Sequence, residues 1–192
     1  GHTVRFSLSG NRTVAALTRQ PDTISRLSAA ESVITVPDKA TAIEVRNAER
    51  LTLDRLESGV DYAAVLPDID LRYDLHGDTL KESLVLNRRP AQTAFSFDLT
   101  FEGLSAVLQP DQSVWFVETG APADAEPVLV IDAPYMFDSA DAESTAITVT
   151  LEETADGCRY TLTPDADWLD AADRQYPVTL DPTFRPNRTY KD

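Results

Sequence analysis

Asp68-Ile69-Asp70-Leu71-Arg72-Tyr73-Asp74-Leu75 sets the class of fold to expect from this chain. Ile69, Leu71, Tyr73 and Leu75 alternate with Asp70, Arg72 and Asp74, the period of a strand with one dry face and one wet face. Pro67 precedes the run and His76-Gly77-Asp78 closes it with turn chemistry. On either side the pattern repeats. Val60, Tyr62 and Ala64 form the strand before it, and residues 80–86 the strand after it, ended by Pro90.

The alternation is cleanest at Phe95, Phe97, Leu99 and Phe101, with Ser96, Asp98 and Thr100 on the opposite face and a turn at Glu102-Gly103. Residues 104–108 and 114–117 flank Pro110-Asp111 and read as a hairpin. Val128-Leu129-Val130-Ile131 is apolar throughout, which predicts burial on both faces. Ile147, Val149 and Leu151 form a further strand, and Asp156-Gly157 turns into residues 159–163. Asp165 caps one helix holding Trp168, Leu169 and Ala172, with Pro177 beyond it. Val178 and Leu180 make a last strand, stopped by Asp181-Pro182.

Residues 1–58 are less sharply patterned. Val4-Arg5-Phe6-Ser7-Leu8 and Thr13-Val14-Ala15-Ala16-Leu17 pair around Gly10-Asn11. Residues 22–31 have helical composition. Val33-Ile34-Thr35-Val36 and Ala42-Ile43-Glu44-Val45 flank Pro37-Asp38, and Leu51 with Leu53 suggests another strand. Short strands with frequent turn signals predict an all-β fold, an antiparallel β-sandwich-like domain with one short helix near the C-terminus. The expected division is an N-terminal β extension over 1–58, the main sandwich over 59–184 and a polar linker or tail over 185–192.

The 192 residues carry a formal net charge of −15, with 42% hydrophobic and 26% charged residues. That balance argues against a nucleic-acid partner and against anionic membrane, because both call for clustered positive charge. No apolar run of roughly 18 residues is present, so no membrane insertion is expected. The chain opens Gly1-His2-Thr3-Val4 and reads as an excised fragment, so a missing targeting signal says nothing about location. The single cysteine, Cys158, rules out an intrachain disulfide and reads as a small residue at a strand start.

Catalytic motifs are sparse. A Ser-His-Asp triad would need His76, because His2 is at the edge of the chain, and no Gly-x-Ser-x-Gly elbow accompanies it. Paired carboxylates for glycoside hydrolysis cannot be picked out among so many acids, since their separation is a matter of folding. Asp138, Asp141 and Glu143 lie in one acidic loop and are the candidate metal ligands, for Ca²⁺, a cation that takes oxygen donors from loops. The run lacks the register of an EF-hand. Trp115, Tyr135 and Phe137 are the candidate glycan-binding aromatics, with Tyr135-Met136-Phe137 expected in a loop after Pro134.

Three blocks carry a resemblance. They are Leu66-Pro67-Asp68-Ile69-Asp70-Leu71-Arg72-Tyr73 with Leu80-Lys81-Glu82 downstream, Ala133-Pro134-Tyr135-Met136-Phe137-Asp138, and Tyr176-Pro177-Val178-Thr179-Leu180-Asp181-Pro182-Thr183. Their order over residues 60–183 resembles the region preceding DNRLRE modules in wall-associated, RHS/YD-repeat-type surface proteins of Gram-positive bacteria. The resemblance implies a secreted or cell-surface bacterial protein and a β-rich domain with no catalytic residues to carry over. The expected function is therefore a noncatalytic structural or adhesive module, not an enzyme and without a resident cofactor. Its expected partners are neighbouring modules of the same polypeptide and cell-wall or host polysaccharide. The alternatives are a glycan-binding module and a carboxylate-dependent glycoside hydrolase.

Overall fold

The computed structural model describes residues 2–8, 14–19, 31–35, 41–46, 59–76 and 79–186. Among them the elements are antiparallel strands and one helix, as the alternation predicts. In chain order they are β1 (His2–Leu8), β2 (Val14–Arg19), β3 (Glu31–Thr35), β4 (Thr41–Arg46), β5 (Gly59–Leu66), β6 (Ile69–His76), β7 (Thr79–Leu86), β8 (Phe95–Phe101) and β9 (Leu104–Leu108). There follow β10 (Val114–Glu118), β11 (Leu129–Ile131), β12 (Tyr135–Phe137), β13 (Glu143–Ser144), β14 (Ile147–Thr154), β15 (Gly157–Pro164), α1 (Ala166–Leu169), β16 (Val178–Asp181) and β17 (Thr183–Pro186).

One sheet has the order β14-β15-β8-β1-β2-β4-β3. The other runs β13-β12-β16-β7-β17-β11-β10-β9, with β6 and then β5 on the free side of β7. β16 and β17 share one side of β7, Val178–Leu180 pairing with Leu86–Leu84 and Thr183–Phe184 with Lys81–Leu80. Between them the Glu82 amide donates to the Pro182 carbonyl at 3.3 Å. Asp181-Pro182 thus interrupts a strand whose line continues. The chain from β1 onward joins the sheet of the main domain, because Val4–Leu8 pairs with Phe101–Phe97.

The core forms between the two sheets, and its rows follow from the alternation. Leu71 is opposite Leu84, Leu84 opposite Leu180 and Leu180 opposite Met136. All four are fully buried. In the other sheet Val149 faces Leu162 and Leu162 faces Phe95, while Tyr160 faces Phe97 at 6.2 Å between ring centroids. Each such row removes apolar surface from water, at about 25 cal/mol per Å². Leu129, Val130 and Ile131 are all buried, as their unbroken apolar run predicts.

Three local expectations differ from the structure. Tyr135-Met136-Phe137 is strand β12, not a loop. Three residues are too few to show a period, and the pairing that makes them a strand comes from the distant β16. The helix stops at Leu169, before Ala172, with Asp170 as its C-cap, whose amide still donates to the Ala166 carbonyl at 2.9 Å. Its start is as expected: the Asp165 carboxylate accepts the Trp168 amide at 2.8 Å. Arg185 belongs to β17 rather than to a tail, paired with Val130. The helix expected over 22–31 lies outside the described residues except for Glu31, which opens β3, and the strand expected at Leu51 and Leu53 lies outside them entirely.

Candidate functional site

One polar cluster spans β7, β12, β16 and the start of β17. Tyr135 and Asp181 are cross-strand partners, and Lys81 reaches both. The Lys81 ammonium is 2.6 Å from Asp181 Oδ2 and donates to the Tyr135 hydroxyl at 3.1 Å. That hydroxyl donates in turn to Asp181 Oδ2 at 2.9 Å, and Thr183 Oγ1 donates to Asp181 Oδ1 at 3.3 Å. Burial alone would lower the Lys81 pKa, but its bonds to Asp181 and Tyr135 outweigh that and raise it. Burial raises Tyr135. The lysine therefore stays an ammonium and the tyrosine a phenol at neutral pH. Neither is poised as base or nucleophile, which would need a pKa moved toward neutrality.

Of the three aromatics singled out in the sequence, two come together. Tyr135 and Phe137 stack at 6.0 Å with 26° between planes, and both are half-buried. Trp115 lies on β10, opposite Val107 and Val130, and not beside either aromatic.

The acidic loop is organised around one carboxylate. Asp138 is buried, and its Oδ1 accepts the amides of Ala140 at 2.9 Å and Ala142 at 3.0 Å. Its Oδ2 accepts Arg174 Nη1 at 2.8 Å and the Gln175 amide at 3.1 Å. Burial pushes this carboxyl up, but the bonds from Gln175, Arg174, Ala142 and Ala140 prevail and hold it at about 2. Arg174 is fixed in turn, with its guanidinium 3.5 Å from the Trp168 ring centroid and its Nε donating to the Trp168 carbonyl at 2.9 Å. The structure does not gather Asp138, Asp141 and Glu143 as ligands. Among the described residues no group of three or more acidic, His or Cys side chains is placed to hold a metal ion. Asp138 points to a guanidinium, and Asp141 and Glu143 are exposed.

Cys158 is buried beside Leu99, and burial pushes its thiol up to about 11, so it packs rather than reacts. His2 and His76 occupy β1 and β6, and their side chains lie outside the description. One buried pair went unnoticed in the sequence. Glu82 is fully buried on β7, and burial together with the Glu82 charge raises the pKa of the Tyr160 hydroxyl, which has no hydrogen-bond partner among the described residues. The alternation Glu82, Leu84, Leu86 already places that carboxylate on the dry face.

No family model matches the chain, and no solved structure matches it. Three curated relatives do. The tRNA(Glu)-specific nuclease WapA of Bacillus subtilis subsp. natto is 32% identical over 129 residues, 64% of this chain. The tRNA nuclease WapA of Bacillus subtilis strain 168 is likewise 32% identical over 129 residues. The tRNA3(Ser)-specific nuclease WapA of Bacillus spizizenii is 27% identical over 157 residues, 73% of this chain. The matched part is 5% of the first two relatives and 6% of the third. These relatives overturn the expectation of a noncatalytic structural or adhesive module, the expectation that no enzyme is involved and the exclusion of a nucleic-acid partner. Net charge misled because it was counted over a stretch matching about one twentieth of a relative, and so carries no information on the rest. Among the described residues no helix is long and apolar enough to cross a membrane.

Proposed function

We propose that this chain is a segment of a large nuclease polypeptide that acts on tRNA, entering it as a folded, acidic β unit. The observation that supports the reading is the match over 129 residues at 32% identity to two relatives named as tRNA nucleases, with a third over 157 residues. Cleavage of tRNA is assigned to the polypeptide as a whole. The described part of the segment offers it a packed two-sheet core and the fixed clusters around Asp138 and Asp181. An extracellular or cell-surface location in a bacterium belongs to the same reading. The resemblance to the region before DNRLRE modules is part of the same proposal.

The test is expression of the full polypeptide in cells, followed by northern analysis of individual tRNAs. The reading expects one or a few tRNA species to be cut. Intact tRNA in cells that accumulate the folded polypeptide would refute it.

A further inference from the structure

Among the described residues the strand β9 ends its sheet, paired with β10 on one side only. Its five residues, Leu104-Ser105-Ala106-Val107-Leu108, include no charge and no proline. Soluble proteins ordinarily blunt such an edge, because a row of unpaired amides and carbonyls templates further pairing. One end strand of the other sheet, β14, is blunted: Thr148, Thr150, Glu152 and Glu153 are exposed along it, and the Val149 amide is taken up by Gln112 Oε1 at 2.8 Å. The two large hydrophobic residues exposed among the described ones sit at the β9 edge. Val107 is 43% exposed and Trp115 37% exposed, and they are cross-strand partners. Open edge and apolar ledge thus coincide.

We propose that β9 is a docking edge for an extended strand from elsewhere in the same polypeptide, apolar at its centre and cationic at its flanks. The inference rests on the reading that this chain belongs to a much longer nuclease, of which a twentieth is matched here. A tethered strand meets the edge at an effective concentration that can reach the millimolar range, so a modest interface suffices. Backbone pairing along five residues covers about 17 Å, at about 3.4 Å per residue. The flanks are specified by charge. Exposed Glu102 and Asp111 bracket β9 at its two ends, and the chain as a whole carries −15. A second copy of this chain would bring the same acidic brackets and the same net charge to the edge, which disfavours it as the occupant.

The test compares amide hydrogen exchange of residues 104–108 in the full polypeptide and in the 192-residue chain, with and without Val107→Lys. The expected result is exchange at least about tenfold slower in the full polypeptide, with the difference lost in Val107→Lys while the melting temperature of the 192-residue chain is unchanged. Equal exchange in both forms overturns the proposal. Protection that rises with the concentration of the 192-residue chain alone also overturns it, by assigning the edge to self-association. A tRNA-cleavage assay on the same full-length sample separates the two failures. Protection without cleavage removes the nuclease reading and keeps the docking edge, and cleavage without protection does the reverse.

Discussion

Asp138 accepts the Arg174 guanidinium at 2.8 Å, tying the turn after β12 to the segment after α1 across 36 residues of sequence. The two side chains are 1% and 7% exposed. Their contact explains why an acidic loop that looked like a cation site is closed: its central carboxylate already has a cation and three backbone donors. Melting temperatures in EDTA and in excess Ca²⁺ should coincide, because a ligand specific for the native state would have to raise them.

The same carboxylate gives a pH prediction. Its folded pKa is held at about 2, below the roughly 3.9 of an unfolded aspartate. A depressed acid contributes stability that is fully present above the unfolded value and lost as pH falls through the folded one. The urea midpoint should therefore decline between about pH 4 and pH 2, and Asp138→Asn should remove that part of the decline.

Core and surface aromatics should behave differently. Phe97 is fully buried against Tyr160, so Phe97→Ala should cost about 3–5 kcal/mol in urea unfolding. Trp115→Ala, on the exposed ledge at 37% exposure, should cost less, about 1–2 kcal/mol. Comparable losses for both would contradict a buried Phe97 and a partly exposed Trp115.

Glycines at two turns predict opposite sources of strain. A Cβ at Gly157 would collide with the Leu99 carbonyl oxygen on the neighbouring strand, and Gly157→Ala should cost about 1–3 kcal/mol. Gly103 has open space around it but φ of +69°, so Gly103→Ala should cost about 1 kcal/mol through its backbone alone.

Cys158 is 3% exposed, and its thiol is raised to about 11. Iodoacetamide at pH 8 should leave the folded chain unlabelled over hours and modify it fully in denaturant. Rapid labelling of the native protein would place the thiol at the surface.

Much of this fold was legible because antiparallel strands write their burial into a period of two. Ile69 and Leu71, and Phe95, Phe97 and Leu99, face the core as their spacing predicts. The cap at Asp165 and the turn at Gly103 were local chemistry and could be read as such. What escaped was set by distant partners. β12 is three residues long and exists through β16, and Lys81, Tyr135 and Asp181 meet only once three strands lie side by side. Arg174 could not be matched to Asp138 from spacing, because their 36-residue separation contains a hairpin and a helix. The nuclease connection was illegible for another reason. The match covers 5% of the first two relatives, and the charge of so short a stretch says nothing of the remainder of those relatives.

The decisive measurement is a gel assay of purified full polypeptide with total tRNA. The account predicts discrete tRNA fragments that increase with time and enzyme concentration. Undegraded tRNA after prolonged incubation with a polypeptide shown to be folded would contradict it.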